Sequence, residues 1–311
     1  MNPFEYKEIL DNNLFNEHSR ILYITKDCTP KILLLRSIIG TIGIKHIHTQ
    51  TEFVQTIDYL DLGNKNPLTN PLEKIKGYIF DDLSFEEFSV YFSNKNFLYQ
   101  NFEFFKQLNL EFNNFFYYEN KKSHTTAFVY IYRILEIISY AFPLIYASKT
   151  TDFKGTYTFL KSCLSVNSEK DKGELGFFKS FIKVVFKEDP LFESSITINV
   201  NGDTEDIQEI FFNAFKKSCS INIFDSNDTE EPRKIAVKFS EYSSFIINLR
   251  NRFFHLFNSG QPNLQSDEII DSDYFFSLVN KQSMSWLSLV LLEVLKFTLE
   301  KNSLGKISNC N

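Results

Sequence analysis

The 311-residue sequence predicts an α+β chain that is mainly α, with a small α/β region over residues 1–122 followed by a helical bundle over 123–311. Three observations predict it. Up to about Asn120, short apolar runs alternate with helix-like patterns. From about Ser123 there are four long amphipathic or wholly apolar stretches. Between the second and third of these, at about 190–235, short period-2 runs flank one helical pattern, which reads as a mixed insertion in the bundle.

In the first region, "RILYIT" (20–25) reads as a strand and "TPKILLLRSIIGTIG" (29–43) as a helix, with Pro30 in its first turn and Gly43 closing it. "IKHIHT" (44–49) follows as a second strand, which makes a βαβ start with a parallel sheet. "TEFVQTIDYL" (51–60) is expected to be helical, "NKNPLTNPLE" (64–73) a loop, and "KGYIFDD" (76–82) a third strand ending in Asp81 and Asp82. In the second region the four stretches are Thr125–Ser148, where Pro143 should kink or end the helix, then 157–187 with a charged break, then 239–257, then 273–301. The insertion supplies "ITINV" and "INIF" as short runs, and its acidic "DSNDTEEP" is a solvated loop.

The 43% hydrophobic content is that of a chain with a sizeable core. A net charge of −6 argues against holding nucleic acid through a broad basic face, but allows a small local basic site. Cys28, Cys163, Cys219 and Cys310 lie far apart and form no CxxC pair, so neither a zinc knuckle nor a disulfide framework is indicated, and a cytoplasmic location is expected. The opening "MNPFEYKEILDNN" is acidic and lacks the apolar core of a signal peptide. No membrane span is expected, because the one stretch of spanning length carries Arg133 and Glu136 at its middle.

One segment resists a purely structural reading. "FIINLRNRFFHLFNSG" (245–260) sets Arg250, Asn251, Arg252 and His255 among phenylalanines, where an unpaired polar group is costly to bury. Cleaving RNA without a metal needs a base for the ribose 2′-hydroxyl, an acid for the leaving oxygen and a cation for the charge developing on phosphorus. Histidine and arginine suit these roles, since one titrates near neutrality and the other stays charged and grips phosphate in bidentate fashion. On a regular helix, positions five apart differ by roughly 140°. Arg250 and His255 therefore share no face, whereas Asn251 and Arg252 lie near His255. For Arg250 and His255 to work together, the helix must bend or meet its own copy.

"RNRFFH" fits the pattern Arg, polar residue, three further residues, His, and so resembles the signature of the HEPN superfamily of ribonucleases and of toxin or phage-defence proteins. The resemblance covers the helical part and falls toward the end of its third long stretch. It implies a HEPN-like bundle, a homodimer, and catalysis by His255 as base or acid, Arg250 as phosphate clamp and Asn251 as hydrogen-bonding support, with Arg252, Arg133 and Glu136 as supporting candidates. RNA is the implied substrate. No cofactor and no metal are called for, and a regulatory or defence-system partner protein is allowed, as is a sensor role for residues 1–122. The alternative is a catalytically silent module that binds a partner protein or nucleotide. In the plainest alternative, Arg250 and Arg252 pair with Glu241 or Glu293, and His255 is a satisfied residue at a helix end. His46 and His48 share a strand face as two metal ligands do, but no third ligand is adjacent. Asp81 and Asp82 read as an ordinary polar loop.

Overall fold

The computed structural model describes residues 2–61, 70–80, 83–148, 152–165, 174–225, 234–255 and 263–307. The chain is mainly helical with a little sheet, and it divides into two compact units, one of Met1–Lys121 with Leu287–Asn311 and the other of Lys122–Trp286. The first boundary lies one residue before the one expected from sequence. The end of the last helix groups with the first unit instead of with the bundle.

In the first unit, strands β1 (Phe4–Lys7), β2 (Ile42–His46) and β3 (Thr51–Gln55) form a sheet in that order, antiparallel throughout. This corrects the expected parallel βαβ unit. Only four residues link β2 to β3, with Gln50 at φ +54°, and so short a link joins antiparallel neighbours only. "TEFVQ" is thus a strand and not a helix, with Glu52 and Val54 exposed and Gln55 buried.

The helix α1 (Pro30–Ile38) forms as expected, with Pro30 in its first turn. Gly40, and not Gly43, closes it. Gly40 has φ +70°, its N–H donates to the Ser37 carbonyl, and the Thr41 N–H donates to the Arg36 carbonyl at 3.0 Å. Every residue of α1 is buried, including Lys31 and Arg36, so each cation needs internal partners. Lys31 donates to the Phe97 and Gln100 carbonyls and lies over the Phe97 and Phe105 rings. Arg36 donates to Glu8 at 2.6 Å, to the Leu22 carbonyl at 2.6 Å and to Thr41.

That arrangement explains why "RILYIT" is not a strand. Ser19–Leu22 is a 3₁₀ turn, the Leu22 carbonyl is taken by Arg36, and the Ile24 N–H donates to Glu8. Its backbone is satisfied by a buried ion pair in place of a ladder. "KGYIF" likewise belongs mostly to a helix, α2 (Pro71–Ile79), which Asn70 caps by accepting the Leu72 N–H and which buries Leu72, Ile75 and Ile79 along one face. Most of the expected 64–73 loop lies outside the described residues, as do Asp81 and Asp82. Then come α3 (Phe85–Phe92), α4 (Lys95–Tyr99) and α5 (Phe102–Asn120), none of them anticipated.

The second unit opens with α6 (His124–Ala147), which continues through the buried Pro143 without ending there. Proline removes one ladder bond near the last turn, and Phe142, Ile145 and Ala147 are buried on either side of it. By length and composition α6 is apolar enough to cross a membrane, but 61% of its most apolar window is buried within the protein. Helices α7 (Phe153–Ser165) and α8 (Glu174–Val185) follow and pack on α6 and on each other.

The insertion folds as β4 (Ser195–Asn199), α9 (Glu205–Ser218) and β5 (Lys234–Lys238), with β4 and β5 antiparallel. "ITINV" is a strand for most of its length. "INIF" is instead a 3₁₀ turn at Ile221–Ile223, and it is β5 that pairs with β4; the acidic loop lies outside the described residues. The chain ends with α10 (Tyr242–Phe254), the short α11 (Ser266–Ile269) and the long α12 (Ser272–Ile307). In the core of this unit Tyr242 stacks on Trp286, whose indole N–H donates to the Phe239 carbonyl at 3.0 Å.

Candidate functional site

Helix α10 buries Tyr242, Ser243, Phe245, Ile246 and Leu249, one continuous face that packs on α6 and α9. The remaining face therefore carries its polar residues, and these gather toward the C-terminal end. The helix stops at Phe254. His255 is the C-cap, with φ −113° and ψ 89°, outside helical torsions, although its N–H still donates to the Asn251 carbonyl. One of the last carbonyls, that of Arg252, accepts from the Leu264 N–H at 3.0 Å.

Leaving the helix lets the imidazole swing back. His255 Nε2 lies 2.6 Å from Arg250 Nη1, and the same Nη1 donates to Asn251 Oδ1 at 3.0 Å. The guanidinium is a permanent donor, so the contact assigns the Nε2 lone pair to it and the ring proton to Nδ1. The other side of the guanidinium lies over the Tyr132 ring of α6, with Cζ 4.5 Å from the centroid. Nε and Nη2 of Arg250 make no hydrogen bond among the described residues.

Three of the sequence candidates, Arg250, Asn251 and His255, thus meet in a single chain. Tyr132 lies beside them and gave no signal in the sequence beyond its place in an apolar helix, and Glu136 is one turn further along α6. Burial pushes the Tyr132 phenol up and the Glu136 charge adds to this, against the pull of Arg250.

Arg252 is not part of the group. Its Nε is buried without a hydrogen-bond partner among the described residues, and its charge acts on the Cys219 thiol, which burial holds up at about 12. Arg133 and Glu136 are exposed, and Arg133 Cζ lies 5.9 Å from the Tyr130 ring centroid. Glu241 accepts from Lys179 at 2.8 Å and Lys183 at 3.2 Å, so its ion pairs are with lysines of α8.

In the first unit His46 ends β2 and His48 sits in the turn after it. Their rings are 5.9 Å apart, and His46 Nδ1 bonds Thr49 Oγ1 at 2.8 Å. Among the described residues no three His, Cys, Asp or Glu side chains gather as a metal site. Among the described residues, Cys28, Cys163 and Cys219 form no disulfide.

In comparisons with known proteins no family model matches the sequence, no curated protein matches it, and no solved structure matches the fold.

Proposed function

We propose that the helical unit is a metal-independent, HEPN-type endoribonuclease, working as a homodimeric toxin or phage-defence effector. One observation carries this reading: the arginine, asparagine and histidine of the Arg-Asn-x3-His spacing converge at the end of α10, with the cation 2.6 Å from the imidazole nitrogen. A phosphodiester seated on the free edge of Arg250 draws the guanidinium toward its oxygens and releases Nε2. The freed nitrogen then takes the proton of the ribose 2′-hydroxyl, the 2′-oxygen attacks phosphorus, and the bond to the 5′-oxygen breaks as that oxygen takes a proton from the resulting imidazolium. The products are a 2′,3′-cyclic phosphate and a 5′-hydroxyl.

A second copy has a face to occupy. Val129, Arg133, Glu136, Tyr140 and Leu144 form one exposed stripe along α6, and the apolar members are 36%, 46% and 58% exposed. Antiparallel pairing about a twofold axis sets Arg133 of one copy against Glu136 of the other. Both copies then hold their Tyr132–Arg250–His255 groups beside the shared stripe.

The competing reading is a silent module that binds a protein or nucleotide, and it draws on the same contact, because Arg250 and His255 satisfy one another without a substrate. Incubating single-stranded RNA with the protein in EDTA separates the two. Cleavage with cyclic-phosphate ends that disappears in His255→Ala supports the nuclease, and intact RNA supports the silent module.

A further inference from the structure

We propose that Tyr132 is the positioning residue of this site: its ring face sets the plane of the Arg250 guanidinium, so that one edge holds His255 and the opposite edge is presented to a phosphate. The inference rests on reading Arg250 as the clamp and His255 as the base. An arginine side chain has many rotamers, so an unsupported guanidinium at a half-exposed helix end samples many directions. Two constraints are needed to fix a plane. The Tyr132 ring supplies the first, lying 4.5 Å from Cζ. The second is the pair of bonds from Nη1 to Asn251 and His255, at 3.0 and 2.6 Å.

The five N–H groups of a guanidinium point outward in its own plane. Nη1 is spent on protein acceptors, which leaves Nη2 and Nε as a two-pronged edge of the geometry that grips a phosphate. Glu136 stands one turn along α6, where its charge acts on the Tyr132 phenol.

The test uses the full chain, a short single-stranded RNA in EDTA, and nitrogen shifts of the His255 imidazole. Tyr132→Leu should lower kcat about 100-fold with KM changed by about 2-fold or less, the size of effect that follows from displacing a catalytic group by about an ångström. Tyr132→Phe, which keeps the ring face, should stay within about 3-fold of the unaltered protein. Without RNA, the unaltered protein should carry the His255 proton on Nδ1 at mildly alkaline pH, and Tyr132→Leu should move it toward Nε2. If the leucine variant melts early, Tyr132→Met takes its place.

A leucine or methionine variant with unchanged kcat and tautomer, beside an inactive His255→Ala, overturns the role of Tyr132 and leaves the nuclease reading standing. A protein that cuts no RNA overturns the nuclease reading, and the tautomer then decides Tyr132 alone. An unchanged tautomer in the leucine variant overturns it.

Discussion

Regular helical register holds Arg250 and His255 about 140° apart, yet their nitrogens lie 2.6 Å apart because His255 is where the torsions leave the helix. The types and spacing of Arg250, Asn251 and His255 were legible in the sequence, and so was the demand that the helix bend or pair. Tyr132 was not, because stacking across helices leaves no trace in spacing along either one. A second polar device was equally hidden. Glu8 and Arg36 stand 28 positions apart, and their side chains are 8% and 0% exposed. Burial works to raise the Glu8 pKa, but the Arg36 hydrogen bonds and charge and the N–H groups of Ile24 and Leu10 outweigh it and hold the carboxyl below its usual value. Because the folded pKa is depressed, this stabilisation is complete above the unfolded value of about 4.3 and is lost as pH falls through the folded pKa. Glu8→Gln leaves Arg36 buried beside a neutral partner and should cost about 3 kcal/mol in urea unfolding at pH 7. The gap between variant and parent should shrink at pH 3, and an equal gap at both values contradicts the ion-pair account.

Among the elements, those governed by local chemistry were readable. Helix α1 with its Pro30 start, α9 and α10 all lie where their patterns put them. Failures came where a tertiary group took over the backbone. "RILYIT" has strand composition, but its carbonyl and N–H groups are claimed by Arg36 and Glu8. "KGYIF" reads as a strand in isolation and is helical because Asn70 and Pro71 start a helix several residues earlier. The close of α1 turns on Gly40, whose φ of +70° favours glycine, and a Cβ there would sit 2.6 Å from the Thr56 carbonyl oxygen. Gly40→Ala should therefore destabilise the protein by about 2 kcal/mol or more, read as a lower urea midpoint. Gly43, in the middle of β2 and with no such torsion, should tolerate alanine better.

For the whole molecule, the division into two units alters how a regulatory role for the N-terminal region is tested. Leu287–Asn311 belongs with Met1–Lys121, so deleting residues 1–121 alone strips the end of α12 of its own unit. A linked deletion of both segments is the fairer probe. The exposed α6 stripe carries the proposed dimer, and Tyr140→Glu with Leu144→Glu should convert dimer to monomer in sedimentation velocity without changing the helix content. A dimer that persists through both substitutions places the interface elsewhere. On the proposed nuclease reading, a net charge of −6 leaves RNA affinity to a few local phosphate contacts, so its dependence on salt should be shallow, at about 0.7 logarithmic units per contact. The central claim is that the end of α10 is a working site, and it is tested most directly by the ends of the RNA it produces. Single-stranded RNA incubated in EDTA should yield 2′,3′-cyclic phosphate termini with the unaltered protein and none with His255→Ala. Equal cleavage by the two, or none by either, contradicts the account.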